Sequence, residues 1–183
     1  MTERWVADHR GPALAQLTPM AAAVLIGRVP DAVAVTVGPG SFTGIRAALA
    51  LGHGLALAWG CPVWGITVGQ AMACEVMAGE VMAGELKSRA LWVATDTRRG
   101  RVYLEQFGPD RPGLSVMVDA LPDPAGPVAI MGDAAGAVAS WLAARGHNVM
   151  LLPARRPGPR GIAGATGPAW PLYSDPPAAR ILA

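Results

Sequence analysis

Two kinds of apolar stretch alternate along the chain, and turns rich in Gly and Pro separate them. Short runs rich in Val, Ile and Leu predict strands, whereas longer runs with apolar residues three or four positions apart predict helices. The predicted strands cover residues 32–37, 62–66, 91–95, 102–107, 114–118, 128–131 and 148–152. The predicted helices cover residues 14–26, 41–59, 68–86 and 135–145. Strands that alternate with helices in this way indicate an α/β fold.

The predicted helix 41–59 carries small or apolar residues on two sides. One side can cover the helix's own sheet, and the other is then predicted to meet a partner helix. The alternative is a helix that lies entirely inside the chain's own core. The residues predicted at the partner interface are Ile45, Ala48, Leu49, Gly52, His53, Leu55 and Ala56.

The composition supports a protein with much buried surface or with a face kept for a partner. Hydrophobic residues make up 52% of the chain and the mean hydropathy is +0.34, which is high for a soluble protein. The net charge of +2 does not indicate strong electrostatic binding to nucleic acid. The longest apolar stretch, residues 47–59, is too short to span a bilayer, and the charged start does not fit a secretory signal. We therefore predict a cytoplasmic protein that does not bind membranes.

A glycine turn joins the strand 32–37 to the helix 41–59. The strand ends at Gly38-Pro39-Gly40, and Ser41 follows as a natural N-cap. Such a turn fits either close packing of backbones or an anion at the helix start. Its spacing matches neither the Walker loop, nor the dinucleotide fingerprint, nor the nucleophile elbow.

The sequence contains few other candidates for catalytic or metal-binding residues. His9, His53 and His147 lie far apart, so the sequence predicts neither a metal site nor another cofactor. No catalytic residue is predicted, because no nucleophile lies beside a base in the sequence. Asp96, at the end of a predicted strand, fits either a metal-bridging carboxylate or a turn-capping side chain.

The glycine turn and its helix start closely resemble the signature of the TsaB (YeaZ) family. The residues that carry this resemblance are Gly38, Pro39, Gly40, Ser41, Phe42, Thr43, Gly44, Ile45 and Arg46. Two weaker family motifs follow in the right order, at residues 95–103 and 171–173. The family usually opens with a strand ending in Asp-Thr-Ser and a second strand, and this chain shows neither. We therefore expect either a start assigned too late or a true deletion of those strands.

The resemblance implies an α/β fold of the actin-like ATPase type, with two ribonuclease-H-like lobes. The first lobe is predicted at residues 1–88, without its N-terminal strands, and the second at 89–152. Residues 153–183 are predicted as a tail rich in Pro, Gly and Arg. The first predicted strand would then have an unpaired edge.

The resemblance also implies a function. TsaB is the non-catalytic partner subunit of the complex that forms threonylcarbamoyladenosine next to the tRNA anticodon. It forms a heterodimer with the ATPase-like catalytic subunit TsaD and supports it. A TsaE-like ATPase docks on that pair, and TsaB contacts tRNA only as part of the complex. A homodimer is a further alternative. The rival hypothesis is a freestanding phosphate-binding transferase or hydrolase that uses the Gly38–Ser41 loop.

Overall fold

The computed structural model describes residues 18–23, 27, 29–78, 86–107, 114–153 and 156–174. Its strands are β1 Val33–Gly38, β2 Val63–Thr67, β3 Ala90–Asp96, β4 Val102–Phe107, β5 Leu114–Val116, β6 Val128–Met131 and β7 Val149–Leu151. Its helices are α1 Phe42–Trp59, α2 Val68–Met77, α3 Ala135–Ala144 and the short α4 Pro159–Ile162, with a single 3₁₀ turn at Val118–Ala120. Residues 18–23 are also helical.

The first sheet pairs β1 with β2 in parallel, and α1 connects them. The β-branched residues Val33, Val35 and Val37 alternate on β1 and point to one face, as an extended backbone requires. α1 covers that face with Ile45 and Leu49. The helix ends at Gly60, whose φ of 64° only glycine adopts easily.

The second sheet has five strands in the order β5-β4-β3-β6-β7. β3 and β4 form an antiparallel hairpin, and β6 and β7 add to the other side of β3 in parallel. One face packs on α3 through Val138 and Leu142, and the other packs on α2 through Met72 and Val76. α2 starts directly after β2, so it joins the two sheets.

Each sheet contains its own parallel strand–helix–strand unit, β1–α1–β2 in the first and β6–α3–β7 in the second. The two units differ in how much of their strands is buried. β6 lies between β3 and β7, and each of its four residues is fully buried. Within the described residues, β1 has β2 as its only neighbouring strand. On its second face Ala34 is exposed, and the side chain paired with it, Trp64, is 41% exposed.

The C-terminal residues return to the first sheet. α4 packs on α2, where the Gly161 amide donates to Glu75 Oε1 at 2.9 Å. Farther on, Gly167 pairs with Gly65 of β2 through two backbone hydrogen bonds of 2.8 and 3.1 Å. The Leu172 amide then donates to the carbonyl of Val37 at 2.8 Å. We call residues 165–173 the strap.

The sequence predicted most of these elements to within two residues. One prediction differs from the structure. The helix predicted at 68–86 ends at Met77, and residues 79–85 lie outside the described part. The residues from 153 are largely irregular in their described part, and this part packs on the first sheet. Of the helix predicted at 14–26, the described residues 18–23 are helical. The lobe boundaries stay a prediction.

Candidate functional site

The glycine turn between β1 and α1 is held together by local packing. The Ser41 side chain caps α1 by accepting from the Gly44 amide at 3.0 Å. A Cβ on Gly44 would lie 2.7 Å from Ser41 Oγ, so glycine makes room for this cap. Gly38 has a φ of 127°, and a Cβ there would collide with the Leu172 carbonyl of the strap. The family signature thus encodes a turn that packs tightly against the strap.

A small cleft of about 170 Å³ opens beside this turn. It is bounded by Thr36 at the end of β1, by the turn itself, and by Ala48 and Val68 on the two helices. None of the described residues that line it carries a charge, and its polar side chains are the hydroxyls of Thr36 and Ser41. Its lining therefore offers a phosphate two hydroxyls and backbone groups, without a balancing cation.

Four of the residues predicted at the partner interface lie on the inner face of α1. Ile45, Leu49, Gly52 and Ala56 are buried in this chain. Ile45 and Leu49 belong to the core cluster of the first sheet, and a Cβ on Gly52 would lie only 2.6 Å from Val35 Cγ1. These four residues face the chain's own sheet, since each follows the last by three or four positions.

Ala48, Leu55 and His53, the other three predicted interface residues, lie outside that inner face. Ala48 and Leu55 are partly buried on the flanks of the helix. His53 is exposed, and its Nε2 lies 3.1 Å from the Ala169 carbonyl of the strap. Because a carbonyl can only accept, Nε2 is the donor in this hydrogen bond. His53 therefore joins α1 to the strap.

The outer face of α1 carries an exposed stripe. The described residues on it follow one another at intervals of three or four, apart from the adjacent His53 and Gly54, and they are Phe42, Arg46, Ala50, His53, Gly54 and Leu57. Phe42 is 55% exposed and Leu57 is 86% exposed. The small residues Ala50 and Gly54 lie towards the middle of the stripe, and the large apolar residues Phe42 and Leu57 lie at its two ends. We call this set the outer stripe.

An aromatic and cationic stack forms the N-terminal end of the outer stripe. The rings of Phe42 and Tyr173 lie 5.2 Å apart, centre to centre, with a tilt of 30° between their planes. The Arg46 guanidinium lies 4.9 Å from the centre of the Phe42 ring. Both distances are typical of favourable aromatic and cation–π contacts. The turn motif and the C-terminal motif, distant in sequence, therefore meet at this point.

A buried carboxylate that was not predicted from the sequence lies between the two sheets. Glu105 of β4 is 6% exposed and accepts hydrogen bonds from Thr67 Oγ1 and from the Gly69 amide, the latter at 3.0 Å. Thr67 is also the N-cap of α2 and forms a capping box with Gln70. The charged residue in the otherwise uncharged strand 102–107 is the sequence signal that could have indicated this site.

Burial raises the pKa of Glu105, and the hydrogen bonds from Thr67 and Gly69 lower it in part. The folded protein therefore holds this proton more tightly than the unfolded chain does. The stability gained in this way is fully present below pH 4.5, the ordinary value for glutamate, and is lost as the pH rises through the raised value. Burial and the nearby Glu105 charge also raise the pKa of Tyr103.

We expect the wild-type protein to lose stability relative to Glu105→Gln as the pH rises from 4 towards 8. The glutamine keeps the shape of the side chain and does not titrate. Its amide nitrogen cannot accept one of the two hydrogen bonds that Glu105 accepts from Thr67 and Gly69, which costs a constant amount of stability at every pH. The change of the difference with pH therefore measures the proton-linked contribution. Urea unfolding of both proteins across this pH range measures the difference. A difference that stays constant, or that moves the other way, would contradict the assigned cause.

Asp96 makes the contacts of a turn-capping side chain. Its Oδ1 accepts from the Arg98 amide at 2.7 Å, and its own amide donates to Asp133 Oδ1 at 2.7 Å. Across the described ranges, no three His, Cys, Asp or Glu side chains are grouped as metal ligands. Within the same ranges, no helix has the length and apolar character that crossing a membrane requires.

Comparison with known proteins places this geometry in a family. A family model described as TsaD, tRNA N6-adenosine threonylcarbamoyltransferase, matches residues 19–123. No curated protein matches the sequence.

Two solved structures share the fold. YeaZ from Pseudomonas aeruginosa aligns with a TM-score of 0.65 at 21% identity, over 88% of this chain and 84% of that chain. An uncharacterized Pseudomonas aeruginosa protein with similarity to peptidase YeaZ aligns with a TM-score of 0.63 at 20% identity, over 88% and 83%. The family match and these two structures together confirm the predicted TsaB (YeaZ) resemblance and the predicted actin-like, ribonuclease-H-like fold. Because the family match spans more than half of the 183 residues, the chain belongs to the TsaD family of tRNA N6-adenosine threonylcarbamoyltransferase proteins.

Proposed function

We propose that this chain is a non-catalytic subunit of the complex that forms threonylcarbamoyladenosine next to the tRNA anticodon. Its partner is the ATPase-like catalytic subunit TsaD, which it binds as a heterodimer in the cytoplasm. Family membership and the YeaZ-like fold support this proposal. A TsaE-like ATPase and tRNA are proposed to join through the assembled pair, and a homodimer is the form proposed for the chain without TsaD.

The outer stripe of α1 is the observation that carries the proposal. A soluble helix normally turns polar residues to water, yet this one leaves Leu57 and Phe42 largely exposed. The small residues Ala50 and Gly54 between them let another helix approach closely. A helix of TsaD packed along this stripe would bury both large side chains and leave the inner face of α1 on its own sheet.

The stripe would act by holding TsaD, not by reacting with its substrates. α1 is rigidly placed, because its inner face is buried on β1 and β2 and its N-terminus is capped by Ser41, which accepts from the Gly44 amide. Transfer of the threonylcarbamoyl group to adenosine would take place on TsaD. This chain would keep TsaD in an active form by covering its apolar surface.

The rival hypothesis of a freestanding transferase or hydrolase requires a reactive Ser41. Its Oγ accepts from the Gly44 amide, which is the geometry of a helix cap. The cleft beside it offers no charged side chain among its described lining residues. These observations favour the structural role of the Gly38–Ser41 loop.

The proposal is tested by mixing the purified chain with the TsaD subunit encoded in the same genome. We expect a stable one-to-one complex on light scattering, and tRNA modification only when both proteins are present with TsaE and the threonylcarbamoyl donor. The chain alone should neither hydrolyse ATP nor modify tRNA. Turnover by the chain alone that is lost in Ser41→Ala would instead support the rival enzyme, and failure to bind TsaD would refute the proposal.

A further inference from the structure

The strap contacts the first sheet and α1 at successive points. Gly167 pairs with Gly65 at the outer edge of β2, and the Ala169 carbonyl accepts from His53 on α1. Ala169 itself is buried in the core cluster of the first sheet. The strap thus crosses from the outer edge of β2 to α1.

The last contacts of the strap reach the glycine turn. The Leu172 amide donates to the Val37 carbonyl, and the Leu172 carbonyl fills the space that a side chain on Gly38 would need. One residue later, Tyr173 stacks on Phe42. Trp170 of the same strap is 74% exposed. The strap therefore supports the turn at both its strand side and its helix side, and Trp170 offers an internal control.

We propose that the strap is a positioning element for the outer stripe, with Tyr173 as its principal residue. Tyr173 fixes the Phe42 ring, and Phe42 in turn lies under the Arg46 guanidinium. The N-terminal end of the stripe is therefore held in one arrangement before a partner arrives, which lowers the entropy cost of binding. This proposal rests on the proposed function, since it assigns to the strap a part in binding TsaD.

The test compares Tyr173→Ala, Tyr173→Phe and Trp170→Ala. In Tyr173→Ala, we expect amide exchange of Gly44 and Ile45 to rise about tenfold and the Kd for TsaD to rise about 3- to 10-fold. Tyr173→Phe keeps the ring contact, so its amide exchange and its Kd for TsaD should equal those of the wild type. Trp170→Ala removes an exposed aromatic side chain from the same strap and should change neither.

Each outcome decides the proposal. Unchanged exchange in Tyr173→Ala, or equal changes in Trp170→Ala, would overturn it. Faster exchange with unchanged affinity for TsaD would also overturn it, because the strap would then be structural only. The exchange measurement needs no partner. If the wild-type chain fails to bind TsaD, the proposed function falls, and the exchange of Gly44 and Ile45 alone decides whether the strap positions the turn.

Discussion

Gly52→Trp is expected to unfold the first sheet, whereas Gly54→Trp on the same helix is expected to leave the fold intact and to abolish binding of TsaD. A Cβ on Gly52 already lies 2.6 Å from Val35 Cγ1 and 3.7 Å from Val63 Cγ2, so an indole has no space there. Gly54 has no atom within 4 Å of its Cβ position. We expect a loss of more than about 4 kcal/mol for Gly52→Trp and a change within about 1 kcal/mol for Gly54→Trp.

Thermal unfolding followed by circular dichroism measures the stability of both variants, and calorimetric titration with TsaD measures binding. Gly54→Trp should raise the Kd by about 100-fold or more, because the indole blocks close approach at the middle of the outer stripe. Leu57→Asp should weaken binding without unfolding the chain, since that side chain is 86% exposed. Normal binding by both Gly54→Trp and Leu57→Asp would show that TsaD uses another surface.

Gly69→Val is expected to cost about 3 kcal/mol or more of stability. A Cβ on Gly69 would lie on the carboxylate of Glu105, so a side chain there must displace Glu105. The displaced carboxylate would lose the hydrogen bonds from Thr67 and Gly69 while still buried. The contact that joins α2 to β4 would be lost with them.

The matched control for this change is Gln70→Ala, one residue along α2. Gln70 is exposed and completes the capping box by accepting from the Thr67 amide at 3.1 Å. Its loss removes one cap bond and should cost about 1 kcal/mol. Denaturant unfolding of the two variants gives the comparison. Similar losses in both would mean that the cap, and not Glu105, stabilises the junction.

Local pattern was sufficient to predict the elements but not the orientation of α1. β1, α1 and the β3–β4 hairpin have strong signals, namely alternating β-branched residues, a Ser cap and a Gly turn. α1 is rich in Ala and Gly on every side, so its residue sizes do not distinguish the face on its own sheet from the face towards a partner. The collision of a Gly52 side chain with Val35 appears only once β1 and α1 are packed together.

The contacts of the strap and the hydrogen-bond partners of Glu105 could not be predicted, for a different reason. The strap has no periodic pattern, and its stabilising contacts join residues more than 100 positions apart, such as Gly65 with Gly167. Glu105 is buried because Thr67 and Gly69, at the start of another element, supply hydrogen bonds to its carboxylate. In both cases the controlling partner is distant in sequence, and one chain read by itself does not identify it.

The return of the strap to β2 and α1 has a consequence for the order in which the protein folds during synthesis. All strands of the second sheet, residues 90–151, leave the ribosome before Gly167 and Tyr173 do. The first sheet is translated first, but it lacks its last edge contacts until the strap has been made. A nascent chain can therefore complete the second sheet while the edge of β2 still lacks its pairing with the strap.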